Sequence, residues 1–125
     1  TASPFLEQAV FQTNDEQFSP NDLALFQNYY NLPVRTAMDP FSRSTSDCSN
    51  GTCYEGNLDI QYIMGIAQGA ETVFWHVDSG SDVNPFVQWA TDMADSPDPP
   101  SVNSISWGSI EQVRLAVVIR QYTRF

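Results

Sequence analysis

Two acidic residues, Glu55 and Asp59, form the pattern in this sequence that is best suited to chemistry. They stand four positions apart in a segment with helical periodicity, so both carboxylates lie on one face of a helix. In such a pair Asp59 raises the proton affinity of Glu55, which can then act as a general base towards a nucleophile. The alternative is a solvated helix face that carries two acids, and the pattern alone favours it.

Other chemistry is a poor fit to the sequence. The single histidine, His76, lies between Trp75 and Val77 in an apolar run, which favours a packed core histidine over a Ser-His-Asp triad or a zinc ligand. The stretch 78–84 contains several oxygen ligands but lacks the spacing and closing Glu of an EF-hand, so a polar turn is the better interpretation. No metal site is therefore predicted in this chain.

The two cysteines, Cys48 and Cys53, enclose a sequon for N-glycosylation at Asn50. Four intervening residues allow a disulfide if the Cα atoms come within reach, and two free thiols with a chance sequon are the alternative. Together with an acidic composition that contains no Lys, the pattern favours a secreted or lumenal compartment.

The charge of the chain excludes some classes of partner, and the uneven distribution of its basic residues predicts a boundary. Five basic and fifteen acidic residues give a formal charge of −10, so neither nucleic acid nor an anionic membrane is expected to bind. No apolar run is long enough for a transmembrane helix. Three of the five Arg residues lie in 114–125, and we expect a boundary near residue 113 between a domain, 1–113, and an atypical basic tail.

Sequence periodicity predicts alternating helices and strands. Helices are expected after the capping sequence Ser19-Pro20-Asn21-Asp22, over 55–68, and from Asn84-Pro85 onwards. Strands are expected over 72–77 and 101–107, and 5–11 is either extended or a short helix. A long loop covers 31–54. This order predicts an α/β fold, a parallel sheet with crossover helices.

Two sets of apolar residues are expected to face the core of this fold. The first set recurs at helical spacing in 55–68, and the second consists of aromatic residues in and after the strand 72–77. They are Leu58, Tyr62, Ile63 and Ile66, then Trp75, Phe86 and Trp89.

Five segments together resemble the sedolisin family of serine-carboxyl peptidases. Glu55-Gly-Asn-Leu-Asp59 is similar to the family's Glu-x-x-x-Asp helix, and Pro85-Phe-Val-Gln-Trp89 and Ser104-Ile-Ser-Trp-Gly108 follow in the same order. The segments Phe5-Leu-Glu-Gln8 and Asp22-Leu-Ala-Leu-Phe26 resemble the tripeptidyl-peptidase branch. The resemblance covers about residues 5–111.

The resemblance implies a partial subtilisin-like three-layer fold and an acid-active peptidase that works through an acyl-enzyme. Glu55 resembles the base and Asp59 its partner, while Ser106, Trp107 and Gly108 resemble the strand edge that pairs with a peptide or protein substrate. It also implies a lysosome-like or secreted acidic compartment. The family's calcium site lies in a C-terminal part that this chain does not match, so no cofactor is expected here.

The sequence also departs from the family. No segment matches the Gly-Asp-Ser-Gly-like oxyanion segment or the Gly-Thr-Ser-like nucleophile segment. We therefore expect an N-terminal piece of the peptidase domain that is inactive by itself. Two alternatives remain open: a non-catalytic peptide-binding or interaction module, and an acidic secreted structural domain.

Overall fold

A computed structural model describes residues 6–78, 80 and 83–108 of the chain. Within these residues three parallel strands form one sheet, in which the first strand along the chain lies between the second and the third, and three helices lie in the connections. The α/β prediction is confirmed, whereas the predicted boundary near 113 and the basic tail lie outside the described residues. The elements are β1 (Glu7–Thr13), α1 (Pro20–Tyr29), α2 (Tyr54–Ile66), β2 (Glu71–Val77), α3 (Pro85–Asp95) and β3 (Val102–Ile105).

The helices cover both faces of the sheet. Adjacent residues of the central strand β1 point to opposite faces: Val10 joins a buried cluster with Ile60 of α2, and Phe11 stacks on Phe86 of α3 at 5.3 Å between ring centroids. The chain crosses the sheet in one direction from β1 to β2. It then crosses in the opposite direction, past β1, to reach β3. Right-handed crossovers therefore place α2 and α3 on opposite faces.

Local capping explains where the helices begin. The Ser19 hydroxyl accepts a hydrogen bond from the Asp22 amide at 3.1 Å, and Pro20 occupies the first turn of α1. Asn84 caps α3 in the same way, accepting from the Phe86 amide at 2.9 Å. These are the positions that the sequence predicts for both helix starts.

The buried face of α2 differs from the predicted one. Gly56, Ile60 and Met64 face the core, whereas Leu58 and Tyr62 are largely exposed. A Cβ atom on Gly56 would lie 2.1 Å from the Gln17 carbonyl oxygen. The glycine thus lets the loop after β1 approach the helix, and this close approach decides which face turns inward. The predicted core position of Ile66 is wrong for the same reason, and Ile63 packs at the margin of the core.

The region 5–11, for which the sequence left two interpretations, contributes to the central strand β1, which pairs with both other strands. The aromatic residues Trp75 and Trp89 are only partly buried, and Phe86 is 37% exposed. Phe86 and Trp89 face the core as expected, because both rings pack against the buried Phe11 ring, but the burial of all three residues is incomplete.

Candidate active site

The candidate site lies at the carboxyl edge of the sheet, where the first turns of α2 meet the ends of β1 and β3. The Asp59 carboxylate accepts two hydrogen bonds there. The Gln12 side-chain amide, near the end of β1, donates to Oδ2 at 2.7 Å, and the Ser106 hydroxyl, just after β3, donates to Oδ1 at 3.2 Å. Parallel sheets commonly bind ligands at this edge. The structure therefore brings predicted residues from two distant segments together.

Gln12 extends this network to the tryptophan of the predicted substrate edge. Its Oε1 atom accepts a hydrogen bond from Trp107 Nε1 at 2.9 Å, and the Gln12 side chain is completely buried. An indole N–H can only donate and an ionised carboxylate can only accept, so the two partners fix the orientation of the Gln12 amide. Asp59, Gln12 and Trp107 form one continuous hydrogen-bonded chain.

Burial raises the pKa of Asp59 above its ordinary value, and the hydrogen bonds from Ser106 and Gln12 act in the opposite direction. Burial disfavours the charged carboxylate, while donors to its oxygens favour it. Protonation of Asp59 would weaken the hydrogen bonds from both donors, because a charged acceptor makes the stronger bond.

Glu55 lies one helical turn before Asp59, in the first turn of α2. The side chain is partly exposed, and no hydrogen bond to its carboxylate is formed within residues 6–78, 80 and 83–108. Asp59, not Glu55, contacts the end of β3. The Glu55 carboxylate is consequently accessible to a group that approaches from outside.

The structure adds a third carboxylate to the site, that of Glu16, which the sequence patterns did not indicate. Its Oε2 atom accepts a hydrogen bond from the Gly56 amide at the start of α2, at 3.1 Å. Burial raises the pKa of Glu16; the bond from Gly56 opposes this effect, and the charges of Glu55 and Asp59 reinforce it. No local sequence pattern points to Glu16, because its role depends on the approach of the loop after β1 to Gly56.

The predicted substrate edge consists of Ser106, Trp107 and Gly108, directly after β3. One edge of β3 pairs with β1. No strand in the described part of the chain pairs with the other, outer edge of β3. Ser106 and Gly108 are exposed, whereas Trp107 is partly buried. Among the described residues, no atom lies within 4 Å of the position that a Cβ atom on Gly108 would take, which leaves the backbone there uncovered by them.

The loop before α2 contains the other predicted residues. Cys48 and Cys53 form a disulfide with 5.5 Å between their Cα atoms. Asn50 is exposed, and its Oδ1 atom accepts a hydrogen bond from the Thr52 hydroxyl at 2.7 Å. The disulfide therefore closes the loop that presents the sequon.

His76 is a core residue, as predicted. It is buried on β2, where its Nε2 atom lies 2.9 Å from the Asn14 carbonyl oxygen and 2.8 Å from Arg43. Burial lowers its pKa, which favours the neutral ring. The histidine has no contact with Glu55 or Asp59, so it takes no part in the candidate site.

Within the described part of the chain, no group of three or more His, Cys, Asp or Glu side chains is arranged to hold a metal ion. The calcium site that the resemblance implies belongs to a region that this chain does not match, and no step below depends on it. None of the helices in the described ranges has the length and apolar character needed to span a bilayer.

The fold and the site define a parallel α/β unit with an acid pair beside a strand edge. Comparison with known proteins shows a sedolisin-like origin for the chain. It is 36% identical over 122 residues to tripeptidyl-peptidase 1 of Dictyostelium discoideum, covering 94% of this chain and 20% of the relative. It is 30% identical over 98 residues to physarolisin of Physarum polycephalum, covering 76% of this chain and 15% of the relative.

The family resemblance predicted from the motifs is therefore confirmed. The chain spans about a fifth of the length of the Dictyostelium relative. No protein-family model and no solved structure matches the chain.

Proposed function

We propose that this chain forms the N-terminal part of a serine-type peptidase domain in which Glu55 is the general base and Asp59 is its partner. The observation that carries the proposal is the position of Asp59. It is hydrogen-bonded to Ser106 directly and to Trp107 through Gln12, one helical turn from the accessible Glu55. A purely solvated acid pair would not be tied to the end of a strand from a distant part of the chain.

In the proposed reaction Glu55 accepts the proton of a serine hydroxyl that the remainder of the domain supplies. The serine oxygen attacks the peptide carbonyl carbon, the C–N bond breaks, and protonated Glu55 returns the proton to the leaving amine. Water then hydrolyses the acyl-enzyme by the same proton transfers. Asp59 lies one helical turn away and acts on Glu55 through its charge.

The choice of carboxylates suits acidic conditions. The reference pKa of Glu is about 4.3 and that of His is about 6.5, so a Glu base remains ionised where a His base would be protonated. The disulfide between Cys48 and Cys53 and the exposed sequon at Asn50 support a secreted or lysosome-like compartment. We propose that Asn50 carries an N-linked glycan there.

The proposed substrate is a peptide that adds a strand to the outer edge of β3 and continues along Ser106 to Gly108. Backbone hydrogen bonds would hold it, a mode known as β-augmentation. This placement sets the scissile bond near the amino end of α2, where Glu55 and Asp59 lie.

The test uses a hybrid peptidase in which residues 6–108 of this chain replace the aligned segment of the Dictyostelium relative. We expect this hybrid to hydrolyse a peptide substrate at acid pH, and E55Q to lower kcat/KM by about 10²- to 10⁴-fold. The matched control is E71Q, because Glu71 is exposed at the opposite edge of the sheet. A smaller graft of residues 54–66 repeats the test if the larger hybrid does not fold.

An E55Q hybrid as active as the E71Q hybrid would contradict the proposal. The 125 residues alone are expected to hydrolyse nothing, because no segment in them resembles the nucleophile or the oxyanion donor. A peptide-binding module without chemistry is the second candidate function, favoured by the unpaired outer edge of β3 in the described residues. A peptide-binding module predicts that the chain binds peptides and that E55Q leaves the activity of the hybrid unchanged.

A further inference from the structure

We infer that His76, Arg43 and Asp78 form a pH-sensitive latch that attaches the long loop before α2 to the carboxyl ends of β1 and β2. While the His76 ring is neutral, Arg43 bridges it to Asp78, and a proton on the ring releases Arg43. Arg43 lies in the loop between α1 and α2, His76 lies on β2, and Asp78 follows that strand. No hydrogen bond or ion pair in the described residues connects the latch to Glu55 or Asp59, so it is independent of the proposed catalytic function.

The Nε2 atom of His76 has two neighbours with opposite requirements. Arg43 Nη2 lies 2.8 Å away and can only donate, so it needs the lone pair of a ring nitrogen without a proton. The Asn14 carbonyl oxygen lies 2.9 Å away and can only accept, so it needs a proton on the same nitrogen. One nitrogen cannot satisfy both partners at once, and the protonation of the ring therefore selects between them.

The charge of Asp78 determines which nitrogen holds the proton in the neutral ring. Its Oδ1 atom lies 3.7 Å from His76 Nδ1 and accepts a hydrogen bond from Arg43 Nη2 at 2.8 Å. A carboxylate on that side favours the proton on Nδ1, which leaves the Nε2 lone pair to Arg43. The Asn14 carbonyl oxygen then has only the longer bond from Arg43 Nη2, at 3.3 Å. In this arrangement the latch is closed.

A proton on Nε2 opens the latch. The charged ring donates to the Asn14 carbonyl oxygen and repels the Arg43 guanidinium, which no longer finds a lone pair on Nε2. Asp78, already 3.7 Å from Nδ1, can pair with the ring instead of with Arg43. Because the His76 side chain is only 2% exposed, solvent screens the repulsion between the two cations weakly.

Three charged groups act on His76, each from a different part of the chain. Arg43 comes from the loop before α2, Asp78 follows β2, and Asp15 comes from the loop after β1. Gln12, the neighbour of His76 in register on β1, is uncharged. Burial lowers the pKa of His76 and the charge of Arg43 adds to this effect, whereas the bond to the backbone carbonyl and the two carboxylates oppose it. The latch is therefore closed at neutral pH and opens in the acidic range.

The backbone beside the latch is held in an unfavourable conformation. Asn14 and Ser42 have φ angles of 57° and 56°, which residues other than Gly keep only where surrounding contacts enforce them. The Arg43 bridge supplies such a contact at both places. Next to it, the Phe18 amide donates to the Arg43 carbonyl oxygen at 3.3 Å and the Thr45 amide donates to the Phe18 carbonyl oxygen at 2.9 Å. Opening the latch is expected to loosen these backbone bonds.

Nuclear magnetic resonance of the 125-residue chain tests the latch, and a single histidine in the sequence makes the ring signals unambiguous. At neutral pH the ring nitrogen shifts should show the Nδ1–H tautomer with Nε2 as an acceptor. As pH falls, the Arg43 side-chain N–H signal, assigned by its loss in R43M, should shift together with the ring titration. An Nε2–H tautomer at neutral pH, or an Arg43 signal that ignores the ring titration, would overturn the inference.

The R43M substitution removes the bridge and keeps an apolar side chain of similar reach. Without the cation beside the ring, the titration of His76 should move to higher pH. The matched control is R35M, which removes the same charge from the same loop. Arg35 donates to the Gln68 carbonyl oxygen at 3.2 Å and is not among the charges that act on His76. An unchanged titration in R43M, or equal shifts in R43M and R35M, would contradict the latch.

Amide hydrogen exchange measures whether the release of Arg43 reaches the backbone. The protection factor of the Thr45 amide should fall about tenfold as His76 gains its proton. The Met38 amide is the control in the same loop, because it is bonded to the Thr72 carbonyl oxygen at 2.8 Å, and its protection should change far less. Equal losses at Thr45 and Met38 would indicate general unfolding and contradict a local latch.

Two variants separate the latch from other effects of pH on exchange. In H76Q the protection of Thr45 should stay the same across the acidic range, because the ring that titrates is absent. R43M decides the question if H76Q does not fold, since the Arg43 side chain is partly exposed and its replacement is tolerated more easily. In R43M the protection of Thr45 should be low at every pH. A loss of protection on acidification that persists in H76Q, or in R43M, would overturn the inference.

Discussion

Replacing Gly56 by Ala should destabilise the chain far more than its small size suggests. The added Cβ atom would lie 2.1 Å from the Gln17 carbonyl oxygen and 3.2 Å from the Phe74 ring. Ordinary contacts begin at 3.4 Å, so the loop after β1 must retreat by about 1.3 Å. That movement breaks the hydrogen bond from the Gly56 amide to Glu16.

The expected loss combines three effects. Overpacking costs about 1–3 kcal/mol, and a lost hydrogen bond to a charged group costs about 1.5–3 kcal/mol. The higher helix propensity of Ala returns about 1 kcal/mol. We therefore expect G56A to lower the free energy of unfolding by about 1.5–5 kcal/mol.

The matched control is G65A in the same helix. A Cβ atom on Gly65 would lie 3.3 Å from the Phe26 ring, which is a side chain that can adjust. The propensity gain and the small adjustment should leave stability within about 1 kcal/mol of the original. Urea unfolding followed by tryptophan fluorescence measures both variants, with the m-value as a check on the two-state comparison. Equal free energies of unfolding for G56A and G65A would refute the argument that Gly56 is needed for the close approach of the loop after β1.

Three further predictions concern the fold around the site. Burial lowers the pKa of His76, so as pH falls the unfolded chain takes up a proton on this residue before the folded chain does. The free energy of unfolding should therefore fall by up to about 1.4 kcal/mol per pH unit below about pH 6.5. Urea titrations of the original chain should show this slope, and H76Q should lack it. Replacing Cys48 and Cys53 by Ser should lower the free energy of unfolding by about 2 kcal/mol in urea, because the crosslink restricts the unfolded chain, and no change would contradict this. Expression through a secretory pathway should add a glycan mass that T52A and N50Q both remove, and an unmodified secreted chain would refute glycosylation at Asn50.

The starts of α1 and α3 and two of the three strands were predictable, whereas the sequence left the central strand β1 open between an extended segment and a short helix. Ser19 and Asn84 each cap a helix that begins with Pro, and neither cap depends on distant residues. The buried face of α2 was not predictable in this way. Apolar periodicity predicts a buried face from the apolar side chains of a helix. Gly56 has no side chain, and the close approach that this allows sets the orientation of α2.

The site was predictable only in part. The spacing of Glu55 and Asp59 identified the acid pair, but nothing in a local pattern indicates that Asp59 contacts Ser106. Gln12 and Glu16 belong to no motif. Gln12 meets Trp107 because parallel pairing brings the ends of β1 and β3 together, and Glu16 meets Gly56 because the loop after β1 approaches α2. Gln12 directly follows the apolar run 9–11 of β1, and that position was its one trace in the sequence.

A double-variant cycle in the hybrid peptidase tests the central claim most directly. It compares kcat/KM for E55Q, D59N and the variant that carries both substitutions. If Glu55 and Asp59 act as one proton-accepting unit, the double variant should be about as slow as the slower single variant. Losses that multiply would show that the two acids contribute independently, and they would contradict the account.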